Sequence, residues 1–131
     1  MATMIEKALR AFFNIESNIR LAFLIGSFAK GTARKDSDVD VAILFERHPG
    51  VTDVSGLKEK LLLLLKKDVD LVVLDAAGPV MKMQVLKSGI LLHSTKNAYE
   101  NFFSNTLNEY DDLKFFRSGI EESVLRRRIY A

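Results

Sequence analysis

Residues 26–40 read Gly26-Ser27-Phe28-Ala29-Lys30-Gly31-Thr32-Ala33-Arg34-Lys35-Asp36-Ser37-Asp38-Val39-Asp40. An apolar run, Leu21 to Ile25, leads into the Gly-Ser pair, and a second apolar run, Val41 to Phe45, follows the aspartates. Short apolar runs bounded by glycine and polar residues read as strands. The stretch is therefore a strand, a basic polar loop and a second strand that opens on Asp38 and Asp40. Residues of one strand two apart point to the same face, at a rise of ~3.3 Å each, so the two carboxylates sit ~6–7 Å apart along the backbone on one side.

Other elements follow outward from this pair. Ile5, Ala8, Leu9, Phe12 and Phe13 have helical spacing and predict a first helix over 4–16. His48-Pro49-Gly50 reads as a turn, after which Thr52 or Asp53 is the expected cap of a helix running to about Lys66. Asp68 to Leu74 reads as a third strand, Ala76 to Lys87 as a helix with Pro79 near its first turn and Gly89 as its stop, and Ile90 to His93 as a fourth strand. From about Ala98 the pattern is helical nearly to the end. Tyr99, Phe102, Phe103, Leu107, Tyr110, Leu113, Phe116, Ile120 and Val124 form a stripe that reads as core, and Gly119 is a candidate break. Helices alternating with short strands predict an α/β (α+β) fold, a small mixed sheet flanked by helices. The 131 residues fit a single domain, with a catalytic core over about 15–95 and C-terminal helices over about 97–130.

Composition excludes several classes. Apolar residues make up 48% and charged residues 27%, the balance of a soluble globular chain. With no cysteine there is neither a disulfide framework nor a thiolate metal site, which suits a reducing cytoplasm. No apolar run approaches the ~20 residues needed to span a bilayer, and the first ten residues, with Glu6 among them, do not read as a secretory leader. A net charge of +2 does not argue for direct nucleic-acid binding. Positive charge is local, at Lys30, Arg34 and Lys35 and again at Arg126, Arg127 and Arg128, where it reads as a solvated helix end or a dock for an acidic or RNA-bearing partner.

The aspartates carry the chemistry. Two carboxylates on one face suit a shared pair of hard divalent cations, Mg²⁺ or Mn²⁺, which two-metal phosphoryl enzymes hold ~3.5–4 Å apart. The 68–74 strand offers a third carboxylate. Asp70 lies deeper in its apolar run than Asp68, where a carboxylate needs a partner to offset desolvation, so Asp70 reads as the general base and Asp68 as the second choice. Gly26 allows close approach of backbone to a phosphate, and Ser27 adds a hydroxyl and an N–H. Lys30 and Arg34 are candidates to neutralise a triphosphate, while Lys35 reads as solvated. Gly26 and Gly31 have the glycine spacing of a P-loop, but Thr32-Ala33 stand where Lys and Ser/Thr are required, so that motif fails. Asp36 and Ser37 read as loop-shaping residues, His48 as a loop residue and His93 as a strand-end residue. Phosphate-directed glycine beside a metal-directed carboxylate pair points to nucleotidyl transfer.

Gly-Ser, ten residues, then Asp-x-Asp resembles the DNA polymerase β-type nucleotidyltransferase superfamily. Gly26 to Arg34 followed by Ser37-Asp38-Val39-Asp40 resembles, within it, the minimal nucleotidyltransferases (MNT), and Val69-Asp70-Leu71-Val72 matches their third-carboxylate strand. The resemblance covers about residues 15–95. It implies a small mixed sheet, two Mg²⁺ ions held by Asp38, Asp40 and Asp70, and ATP bound at Gly26, Ser27, Lys30 and Arg34. It also implies an antitoxin role: AMP is transferred to a tyrosine of a HEPN-type RNase toxin. A homodimer or a hetero-oligomer with that partner is compatible with it. Two departures stand out. Lys30 replaces a frequent arginine, keeping the charge without the bidentate fork. Lys35 replaces a frequent proline. Two rivals are an adenylyltransferase for an aminoglycoside-like small molecule and an antitoxin that acts by binding alone. The first usually needs a further substrate domain, for which little chain follows the last strand.

Overall fold

A computed structural model describes residues 2–113, with the side chains from Met4 onward. The order of elements is α1 (Ala2–Ile15), β1 (Ile19–Ile25), α2 (Gly26–Lys30), β2 (Val39–Phe45), α3 (Val51–Leu65), β3 (Val69–Val73), a 3₁₀ turn (Leu74–Ala76), α4 (Pro79–Ser88), β4 (Ile90–Ser94) and a helix α5 that is described over 98–113. The continuation of the aromatic stripe past Leu113, the expected break at Gly119 and the triple arginine lie outside the described residues.

The four strands form one mixed sheet in the order β3-β2-β1-β4. β1 runs antiparallel to both β2 and β4, and β2 runs parallel to β3, with α3 as the crossover between them. Period-two alternation sorts the strand residues onto two faces. Ala22, Leu24, Val41 and Ile43 turn to the face covered by α1 and α3, where they meet Leu9, Phe13, Leu57 and Leu61. Leu21, Phe23 and Ala42 turn to the other face and pack with Leu74, Val85 and Phe102. A register shift between Ile19 and Leu21 breaks the alternation and returns Ile19 to the first core. On the second face the Phe23 ring lies 6.2 Å from Tyr99 and 6.1 Å from Phe102, which locks the start of α5 onto the sheet.

Phe13 is fully buried and meets Phe12 edge-on at 5.1 Å. Phe13→Ala would leave a cavity between α1 and the sheet, and we expect it to lower unfolding stability by about 3–5 kcal/mol in urea denaturation.

Several boundaries differ from the expectations. β1 starts two residues before Leu21, because antiparallel pairing of Ile19 with Phe45 extends it. The cap of α3 is Gly50, not Thr52 or Asp53; Asp53 instead reaches back, its Oδ2 accepting the Gly50 N–H at 2.8 Å. The helix expected from Ala76 starts at Pro79, because residues 74–76 close a 3₁₀ turn first and proline prefers the first helical turn. Gly89 ends α4 as expected, its N–H bonding the Val85 carbonyl at 2.8 Å. No helix among the described residues is long and apolar enough to cross a membrane.

Candidate active site

The site lies at the end of the sheet where β2 begins. Asp38 precedes β2 and Asp40 is its second residue. Across the sheet Asp40 pairs with Ile25 of β1 on one side and with Asp70 of β3 on the other. Parallel neighbours in register sit ~4.8 Å apart with side chains on the same face, so Asp40 and Asp70 are brought together directly. Asp68 lies one position before β3; its carbonyl accepts the Val39 N–H at 2.9 Å, a ladder bond that anchors the start of the strand.

Burial divides the three carboxylates in a way the sequence reading reversed. Asp70 was expected to be the embedded one; it is exposed, because β3 is the edge strand of the sheet among the described residues. Asp40 is half-buried on a central strand. Its pKa is raised above the ordinary 3.8, first by burial, then by the charge of Asp70 and then by that of Asp38.

Gly26 lies against Asp40. It has φ of +71° and follows directly on Ile25, the cross-strand partner of Asp40. A Cβ there would lie 3.0 Å from the Asp40 Cγ and would collide with its Oδ2. Only glycine leaves the Asp40 carboxylate this space. Ser27 sits in the first turn of α2, the buried Phe28 holds that turn down, and Lys30 ends it in solvent. The loop beyond is self-braced. Ser37 Oγ accepts the Arg34 N–H at 2.7 Å and the Ser37 N–H returns to the Arg34 carbonyl at 3.0 Å, which bears out the loop-shaping reading of Ser37. Lys67 is a residue the sequence reading missed. Its Nζ donates to the Lys35 carbonyl at 2.7 Å while it sits 5.8 Å from the Phe28 ring centroid, tying the loop to the foot of β3. A lysine beside Asp68 carried no local signal for this, since the bond spans 32 residues.

A cleft of about 470 Å³ opens beside the carboxylates, lined by Asp38, Asp68 and Asp70 on one wall and by Ser55, Lys58 and Leu62 of α3 on the other. Lys30 and Arg34 do not line it. A larger cavity of about 770 Å³ lies at the opposite end of β2, near His48. Its acids are engaged: Asp75 accepts the Phe45 N–H, Glu109 pairs with Lys82, and Glu46 with Arg20. The smaller cleft touches the candidate carboxylates through Asp38 and Asp70, while Asp40 and Gly26 lie outside its lining.

Among the described residues no three His, Cys, Asp or Glu side chains close into a metal nest by themselves. The donor set still suits a hard divalent cation. It is all carboxylate oxygen, and glycine keeps the approach to Asp40 open. Phosphate and water oxygens ordinarily supply the remainder of such a shell.

The raised Asp40 has a consequence for stability. A carboxyl whose folded pKa exceeds its unfolded value stabilises the fold below the unfolded pKa, and that contribution is lost as pH rises through the folded pKa. We expect thermal melts of the metal-free protein to show this loss on climbing from 3.8, and Asp40→Asn to abolish that part of the pH slope. An unchanged slope in Asp40→Asn would contradict the assignment.

Comparison with known proteins shows the family. Residues 7–98 match the family model described as polymerase beta, nucleotidyltransferase. The chain is 34% identical over 107 residues to the protein adenylyltransferase MntA of Shewanella oneidensis, covering 82% of this chain and 77% of that one. It is 39% identical over 85 residues to MntA of Thermococcus cleftensis, covering 65% of this chain and 73% of that one. A crystal structure of a toxin–antitoxin with AMP-PNP superposes with a TM-score of 0.72 at 32% identity, over 95% of this chain and 98% of that one. A complex of tri-AMPylated Shewanella oneidensis HEPN toxin with MNT antitoxin superposes at 0.70 and 28% identity, over 95% and 99%. With the Gly-Ser turn, the in-register aspartates and the mixed sheet all in place, the chain belongs to the polymerase β-type nucleotidyltransferase family, in its minimal nucleotidyltransferase (MNT) branch.

Proposed function

We propose that this protein is a metal-dependent adenylyltransferase and antitoxin that moves AMP from ATP onto a tyrosine hydroxyl of a HEPN-type toxin. The observation that carries the reading is the register of Asp40 with Asp70, with Asp38 beside them and Gly26 against the Asp40 carboxylate. The AMP-PNP bound in one similar toxin–antitoxin structure and the AMPylated toxin in another support the nucleotide and the acceptor.

In this reading Asp38, Asp40 and Asp70 hold Mg²⁺, with Mn²⁺ able to replace it. Bound there, the cations neutralise phosphate charge and lower the pKa of the acceptor hydroxyl. Gly26 and Ser27 receive the triphosphate, and Lys30 and Arg34 offset its charge from the loop. Asp70, exposed on the edge strand, takes the proton from the tyrosine O–H. The phenolic oxygen bonds to the α-phosphorus, the bond from that phosphorus to the bridging oxygen breaks, and pyrophosphate leaves. Positioning and charge neutralisation supply most of the rate in such transfers. A cytoplasmic setting, where ATP is abundant, fits a chain without cysteine.

Incubation with α-labelled ATP, Mg²⁺ and a HEPN-type toxin that forms a complex with this protein tests the reading. Label should appear on a tyrosine of that protein and should require the divalent cation. Absence of labelled toxin under conditions where the two proteins form a complex would sink it.

A further inference from the structure

Asp40 and Asp70 are fixed by strand pairing, but Asp38 precedes β2, in the segment that joins the basic loop to the sheet. The loop's own hydrogen bonds are local. The Thr32 N–H bonds the Ser27 carbonyl at 3.0 Å, and Arg34 and Ser37 brace each other. These bonds shape the loop without reaching outside residues 26–40, and Ala33 adds an apolar contact with the first core.

Two consecutive residues at the foot of β3 grip the segment from outside. The Asp68 carbonyl accepts the Val39 N–H at 2.9 Å, and the Lys67 Nζ donates to the Lys35 carbonyl at 2.7 Å. Lys35 and Val39 bracket Asp36-Ser37-Asp38, so Asp38 lies between the two grips. The Lys67 ammonium is itself held, 5.8 Å from the centroid of the Phe28 ring. Phe28 is buried in the first core and directly follows Ser27. Lys67 thus joins three parts of the site: the turn that begins at Gly26-Ser27, the basic loop and the start of β3. It is half-buried, where a hydrogen bond from a charged donor is less screened than at the open surface.

We propose that Lys67 is a positioning residue for the transfer reaction: by holding the Lys35 carbonyl beside Phe28 it sets the Asp38 segment and the basic loop in the arrangement that receives ATP with its divalent cation. The inference rests on the transfer reading. Lys67 touches no reacting atom and acts through Asp38 and the loop. Without its bond the segment has to be ordered as the nucleotide binds, and affinity falls by the fraction of molecules in which it is already in place.

Two variants of the full chain test this. Lys67→Met keeps a long side chain against Phe28 and removes the ammonium, while Lys67→Arg keeps a charged donor. Hydrogen exchange on the metal-free protein reads the positioning without any reaction. The Arg34 and Ser37 amides should exchange about tenfold faster in Lys67→Met, the size expected for one lost hydrogen bond to a charged group, with the Ala42 amide of β2 unchanged. Affinity for a fluorescent ATP analogue with Mg²⁺ should fall about tenfold in Lys67→Met and stay within about twofold of wild type in Lys67→Arg. In transfer assays the KM for ATP should rise by the same factor, with kcat at saturating ATP and the KM for the toxin unchanged, the pattern of a lost binding contribution. Wild-type exchange and wild-type nucleotide affinity in Lys67→Met would overturn the proposal, even if its melting midpoint dropped. So would an equal loss in Lys67→Arg, or a lower kcat with ATP affinity intact. Wild-type protein that binds the analogue but labels no toxin would bring down the transfer reading, while the exchange and affinity measurements would still decide whether Lys67 positions the nucleotide site.

Discussion

Asp38→Asn/Asp40→Asn is expected to abolish AMP transfer, by a factor of at least roughly 10³, while leaving the protein folded. The size follows from the loss of two oxygen donors to cations that contribute several kcal/mol of charge stabilisation, at 1.36 kcal/mol per tenfold in rate. The retained fold follows from electrostatics. Asp38 is exposed, and Asp40 holds its charge against burial and against Asp70 and Asp38, so neutral asparagines relieve repulsion. The thermal midpoint of the metal-free variant at neutral pH should equal or exceed that of the wild type. Two measurements check this, labelled transfer to the toxin and a melting curve. A variant that still neutralises the toxin without transferring label would show that binding alone suffices and would refute the catalytic account of its role. A variant that loses activity and melts far lower would instead assign the aspartates to the fold.

The second large effect is expected at Gly26. Gly26→Ala places a methyl group against the Asp40 carboxylate and puts an L residue at φ +71°. The left-handed conformation costs about 1–2 kcal/mol. The collision forces the carboxylate or the turn to move, and misplacement by about 1 Å can cost 10²-fold in rate. Transfer should therefore fall by roughly 10²-fold or more, beyond anything the stability loss explains. Gly31 supplies the control. It has nearly the same φ, +74°, yet a Cβ there meets nothing within 4 Å. Gly31→Ala should show a similar stability cost with transfer largely kept. Equal loss of transfer in both variants would mean that backbone conformation, not the contact with Asp40, is what the site requires.

Much of the site was legible in residues 26–40 because its determinants are local. The two-residue period of a strand puts Asp38 and Asp40 on one side whatever lies around them, and β2 spans Val39–Phe45 as the apolar run predicts. The apolar spacing of 4–16 likewise marks α1, which needs only its own 3.6-residue period to be recognised. Where expectation and structure part, a non-local partner decides. Ile19 joins β1 because Phe45 pairs with it, and Lys67 matters because the Lys35 carbonyl comes to it across the fold.

Asp70 marks the division most clearly. The sequence by itself determined that a third aspartate stands in a strand, and it supplied the expectation of phosphate beside carboxylate. Only the tertiary structure decided that β3 is an edge strand, so that Asp70 is open to solvent and the desolvation falls on Asp40 instead. The same sheet order sets Asp40 between Ile25 on the inner side and Asp70 on the open edge. Spacing along the chain is covalent and can be read residue by residue. The order of strands and the burial of a charge come from pairing and packing between segments far apart, which no local pattern encodes.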